Sequence, residues 1–174
     1  IEGLRQISDL EWQAVLLGTG DTLLESAMRQ LEHEIPGRVR AILAFDSRLA
    51  RRMYAGADIL MMPSRYEPCG LAQMIAMRYG CIPVARATGG LKDTIIDDPD
   101  PNRSTGLLFN LPEIKDFTAA LCRVLSVYSN RSLWHTIQTN AMRQDFSWQL
   151  SARAYANLYR KLIAGVNSAT EIIE

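Results

Sequence analysis

Glu67 stands three residues ahead of Gly70 in the run Ser64-Arg-Tyr-Glu-Pro-Cys-Gly-Leu-Ala-Gln73. An apolar segment, Ile59 to Met62, leads into this Pro-containing loop, and an apolar helix is expected from Gly70 to Tyr79. A strand that ends in a turn and then a helix N-terminus offers free backbone N–H groups and the positive end of a helix dipole, a ready seat for an anion. The Glu67 carboxylate would repel a phosphate. It can instead accept hydrogen bonds from hydroxyl groups beside one. A phosphate with a polyol next to it describes a nucleotide-sugar.

Other loops carry weaker signals. Gly18-Thr19-Gly20 lacks the third Gly of a dinucleotide fingerprint, and no Gly-x-x-x-x-Gly-Lys-Ser/Thr occurs. A tight strand-to-helix turn accounts for it, though such a turn would still sit near a bound nucleotide. Phe45 follows an apolar run and precedes a helix cap, so its ring either stacks on a base or plugs the core. Thr88-Gly89-Gly90-Leu91 either presents amides to an anion or sugar or is a plain turn. Cys69 could be a nucleophile, because a helix N-terminus lowers a thiol pKa. Yet His33 and His135 fall in helical stretches distant in sequence, and a closely packed Cys whose backbone N–H does the binding fits better. Neither His has a partner at ligand spacing, so no metal is expected.

The elements that must position these loops alternate. Strands are expected over Trp12–Leu17, Val39–Leu43, Asp58–Met62, Ile82–Arg86 and 106–109, the first of them buried. Helices lie between, the first capped by Asp21 or Thr22 and the next by Asp46 or Ser47. Asp97 to Thr105 is a polar surface loop, and helices follow at about 113–128, 131–145 and 148–164. This pattern predicts an α/β fold: an open, mostly parallel, Rossmann-like sheet with helices on both faces, then C-terminal helices. One domain is expected over 1–164, with a frayed tail at 165–174. Trp134 and Trp148 are expected to pack in the core, though Phe146-Ser147-Trp148 also reads as a hinge into the last helix. Ligands of such sheets bind beyond the carboxyl ends of the strands, where Gly18–Gly20, Phe45, Ser64–Gly70 and Ala87–Gly90 should converge.

Composition narrows the partners. Lys+Arg and Asp+Glu both total 19, so neither a nucleic-acid nor a membrane surface is expected. Three widely spaced Cys read as reduced thiols of an intracellular protein. The opening Ile-Glu-Gly-Leu-Arg-Gln is no signal peptide, lacks an initiator Met and reads like mid-helix, which suggests a piece of a longer protein.

The chain resembles bacterial glycogen synthases and plant starch synthases. The matching segments are Tyr54-Ala-Gly-Ala-Asp58, Met62-Pro-Ser-Arg-Tyr-Glu-Pro-Cys-Gly-Leu71, Ala76-Met-Arg-Tyr-Gly80, Thr88-Gly-Gly-Leu-Lys-Asp93, Gly106-Leu-Leu-Phe109 and Asp145-Phe-Ser-Trp148. The order and rough spacing hold across most of the chain, and the Glu-Pro-Cys-Gly-Leu run is highly specific. Many related glycosyltransferases have a second Glu eight residues after the first; Ile75 stands there, and this family likewise lacks that second acid. The resemblance implies the C-terminal half of a GT-B fold and retaining transfer of glucose from ADP-glucose to the non-reducing-end 4-hydroxyl of an α-1,4-glucan. It implies no cofactor or metal, ADP-glucose or ADP as ligand, and a bacterial cytoplasm or a plastid stroma as location.

By the same resemblance Glu67 hydrogen-bonds the transferred glucose, and the amides of Cys69, Gly70, Leu71 and Ala72, following Pro68, hold the sugar and distal phosphate. Phe45 takes the place of an adenine-packing Tyr, and Ala72 that of a Thr, so each loses a hydroxyl. The resemblance also implies missing parts. These are the acceptor-side domain that would hold the glucan, and the first strand of the nucleotide domain, whose loop carries an Arg and a Lys for the diphosphate. On that expectation the chain alone binds ADP weakly and is inactive. The alternative reading is a non-catalytic glucan-binding or subunit-docking module.

Overall fold

The computed structural model describes the backbone of residues 1–170 and the side chains of residues 1–164. Its larger sheet is built on β4 (Ile82–Arg86), whose Ile82, Val84 and Ala85 are fully buried, as both faces of a helix-covered parallel strand require. β4 pairs in parallel with β3 (Ile59–Met62), Ile59 opposite Ile82, and with β5 (Leu107–Phe109), Val84 opposite Leu107. Pro83 is tolerated in this central strand for a local reason. The Ile82 N–H donates to the Asp58 carbonyl on the β3 side. Alternation therefore turns position 83 toward β5, ahead of the first residue that β5 pairs.

A second parallel pair joins β1 (Ala14–Leu17) to β2 (Val39–Ile42), Ala14 opposite Val39. Before it comes α1 (Glu2–Gln6); α2 (Thr22–Glu34) crosses from β1 to β2, α3 (Ser47–Gly56) from β2 to β3, and α4 (Ala72–Tyr79) from β3 to β4. After β4 come α5 (Gly89–Thr94), then, past β5, α6 (Ile114–Ser129), α7 (Arg131–Met142) and α8 (Trp148–Thr170). Asp21 caps α2, accepting from the Leu23 and Leu24 amides, and Asp46 caps α3 through the Leu49 amide. Gly80 ends α4 with a left-handed φ of 76° that suits only a residue without a side chain.

The parallel α/β class and the order of elements agree with the sequence reading; three particulars differ. First, the sheet comes in two pieces, and no ladder joins β1 to β3. Between them lies an apolar cleft of about 380 Å³, lined by Val15, Leu16 and Leu17 on one side and Leu60, Met61 and Pro63 on the other. Val15 is therefore 51% exposed in a strand expected to be buried, because no strand among the described residues covers its flank. Second, residues 1–143 form one compact unit, and the residues from Gln144 on form another. Third, α8 runs to Thr170, past the helix end expected at about 164, and residues 171–174 of the expected tail lie outside the described residues. Trp134 is buried as expected, whereas Trp148, at the start of α8, is 77% exposed.

The first unit has two apolar clusters. One gathers Ile82, Val84 and Leu91 with Val124, Trp134 and Ile137 around β4. The other joins Leu4 and Ile7 to Met28, Leu31 and Val39 around β2. Asp97 ties β5 to α6: its carboxylate accepts from the Leu108 amide at 2.7 Å and from Arg123 at 2.5 Å.

Candidate functional site

The loop after β3 is held by its carbonyl oxygens. Arg86, at the end of β4, donates through Nε to the Ser64 carbonyl at 2.7 Å and through Nη2 to that of Arg65. The Gly90 amide donates to the Glu67 carbonyl at 3.1 Å. Gln73 Nε2 donates to the Cys69 and Gly70 carbonyls at 3.1 and 2.8 Å. In a trans peptide the carbonyl and the next amide point in opposite directions. Carbonyls drawn inward at 69 and 70 therefore turn the Gly70 and Leu71 N–H groups outward.

Those amides are open. Among the described residues, none of the N–H groups of Cys69, Gly70, Leu71 or Ala72 finds a protein acceptor. α4 starts at Ala72 rather than Gly70, with Leu71 as N-cap and no side-chain cap, unlike α2 and α3. The two-residue delay follows from Gly70, whose φ of +72° lies in the left-handed region and cannot open a right-handed helix. An uncapped N-terminus beside an outward-facing loop leaves the dipole's positive end to the solvent.

Glu67 is half-buried, and its carboxylate makes no hydrogen bond or ion pair among the described residues. It is held by its backbone alone, which leaves both oxygens as acceptors for an outside donor. Cys69 is exposed, and no His stands by it among its contacts. Of the nearby cations, Arg86 is committed to carbonyls, while Arg65 and Lys92 are exposed.

The turn after β4 meets this loop directly. A Cβ at Gly89 would collide with the Glu67 carbonyl, and one at Gly90 with that of Cys69. The Gly90 amide is engaged by the Glu67 carbonyl, so Gly90 seats the loop, as the plain-turn alternative has it. Thr88 is the N-cap of α5, and the Gly89 amide has no protein acceptor among the described residues.

Gly18 and Phe45 sit at the carboxyl ends of β1 and β2, in the other piece of sheet. No described contact joins either to the Glu67 loop. The Gly18 amide donates to the Ile42 carbonyl, which makes it a continuation of the ladder. Phe45 is 92% exposed, so it is not a core plug, and both ring faces are free.

Two contributors escape sequence reasoning: Gln73 and Thr94. Gln73 is fully buried in the first turn of α4, and its Nε2 also meets Thr94 Oγ1 at 3.0 Å. A lone polar residue on the apolar face of a helix was the available signal. A large cleft of about 650 Å³ lies elsewhere, lined by Arg29, His33 and Arg40 beside α2. Among the described residues no helix is long and apolar enough to cross a membrane.

Known proteins resemble this chain in sequence and fold. The glycogen synthase of Cereibacter sphaeroides is 49% identical over 153 residues, which is 86% of this chain and 32% of that protein. That of Thermotoga maritima is 47% identical over 156 residues, 88% of this chain and 32% of that one. The chain thus spans about a third of the length of these relatives. The catalytic domain of starch synthase IV from Arabidopsis thaliana, solved bound to ADP and acarbose, superposes with a TM-score of 0.80 at 33% identity. The match covers 94% of this chain and 35% of that one. The family model described as glycosyl transferases group 1 matches residues 1–127, a stretch that holds all five strands and the Glu67 loop, and the chain belongs to that family.

Proposed function

We propose that this chain is the donor-binding domain of a glucosyltransferase that moves glucose from ADP-glucose to the non-reducing-end 4-hydroxyl of an α-1,4-glucan, with retention and without a metal. The observation that carries the reading is the loop at 64–71, with its carbonyls drawn inward and the amides of residues 69–72 left open beside an unpaired carboxylate. The names of the relatives and the ADP bound to the starch synthase neighbour support the choice of nucleotide and product.

In this reading Glu67 accepts hydrogen bonds from hydroxyls of the glucose ring and fixes its orientation. As the bond from C1 to the diphosphate breaks, negative charge collects on the distal phosphate. The amides of Cys69, Gly70, Leu71 and Ala72, with the end of the α4 dipole, are already aimed at it. Phe45 offers a free aromatic face to the adenine. The glucan is held by parts of the longer enzyme. The relatives are bacterial, which suits a bacterial cytoplasm.

The test is kinetic. In the full-length enzyme, Glu67→Ala should lower kcat for glucose transfer by about 10²-fold or more, the loss of one or two hydrogen bonds to a charged acceptor. A chelator should leave the rate unchanged. Near-normal transfer by the Ala variant would remove Glu67 from the site, and a chelator-sensitive rate would overturn the metal-free reading.

A further inference from the structure

We infer that Gln73 is a positioning residue that, through Thr94, aims the Gly70 and Leu71 amides; this rests on the reading of the Glu67 loop as the donor site. Gln73 has no exposed surface. Its Nε2 reaches three acceptors: the carbonyls of Cys69 at 3.1 Å and Gly70 at 2.8 Å, and Thr94 Oγ1 at 3.0 Å. Thr94 Oγ1 donates in turn to the Gly90 carbonyl at 2.5 Å, and the Gly90 amide returns to the Glu67 carbonyl at 3.1 Å. The path runs from α4 through the loop to α5 and back to the residue before Pro68. It ties the amide-bearing half of the loop and the carboxylate-bearing half to one buried side chain.

The other end of that side chain is left without a partner. Gln73 Oε1 is buried and accepts no hydrogen bond among the described residues. A buried acceptor left unpaired is a cost that Met or Leu of similar shape would avoid. The donor end therefore explains the residue. Oε1 also lies 2.5 Å from where a Cβ at position 70 would stand, so the amide fills the space that Gly70 leaves. Without Nε2 the Cys69 and Gly70 carbonyls lose their inward partner, and the peptide planes are free to turn the Gly70 and Leu71 N–H groups away from a phosphate. The loss would fall on the step in which charge grows on that phosphate, more than on ground-state binding.

The experiment compares Gln73→Met, Thr94→Val and Thr94→Ser with Glu67→Ala in the full-length enzyme, after thermal melting confirms the fold. Gln73→Met and Thr94→Val should lower kcat by at least tenfold while KM for ADP-glucose changes less than threefold, and Thr94→Ser, which keeps the hydroxyl, should restore most of the rate. If Glu67→Ala abolishes transfer but both Gln73→Met and Thr94→Val stay near wild type, the positioning role is overturned and the site stands. If Glu67→Ala leaves transfer intact, the site itself has failed. If Gln73→Met does not fold, the Thr94 pair decides alone: equal rates for Val and Ser overturn the inference.

Discussion

A methyl group at position 90 would run into the carbonyl oxygen of Cys69, and one at 89 into that of Glu67. The two glycines are contact surfaces for a backbone 22 and 21 residues earlier in the chain. Gly90→Ala should therefore push the loop off its seat and cost about 1–3 kcal/mol, the usual penalty for overpacking. Gly56→Ala is the control, because nothing lies within 4 Å of a Cβ there, and it should stay within about 0.5 kcal/mol. Urea unfolding of both variants checks this; a Gly90→Ala chain as stable as the parent would mean that loop and turn are not in contact. At this scale the sequence showed Glu67, Pro68 and the glycine pair as a loop and a turn. It marked Gln73 only as a lone polar residue on an apolar helix face, since its role depends on Thr94, brought in from another helix.

The helix caps were legible because a cap is a matter of a few neighbouring residues: Asp21 and Asp46 accept from amides two and three positions on. The burial of β1 was not legible, because it depends on what lies beside the strand. Ala14 and Gly18 donate to Arg38 and Ile42 of the β2 segment. By the alternation of a parallel ladder the Val15 and Leu17 amides point the other way, toward the cleft that both residues line. In hydrogen exchange on the 174-residue chain, the amides of Ala14, Gly18 and Ile82 should be protected and those of Val15 and Leu17 should exchange far faster. Equal protection across β1 would show that its open edge is covered.

Cys81 carries the effect of the whole molecule on one group. Burial, with the Asp58 carboxylate adding to it, pushes the thiol up to about 12 from its ordinary value of 9.0. The unfolded chain therefore loses this proton first. The contribution to stability is whole below about pH 9 and falls by about 1.4 kcal/mol per pH unit until about pH 12. Urea midpoints measured from pH 8 to pH 10.5 should decline more steeply for the parent than for Cys81→Ala; identical slopes would mean that the thiol is solvated. The length and composition hold no sign of this shift, since burial creates it together with Asp58, which comes from the turn between α3 and β3.

The order of strands and helices, the parallel class, the caps and the loop and helix start around Glu67 were determined by the sequence itself, because periodicity, capping and turn residues act over a few positions. The tertiary structure alone decided that the sheet divides between β1 and β3, that Trp148 and Phe45 stand in solvent, and that Gly90 and Gln73 hold the loop with its amides outward. Each of these depends on a neighbour that chain order does not name: the absence of a strand beside β1 among the described residues, or the carbonyl of a residue brought in from another crossover.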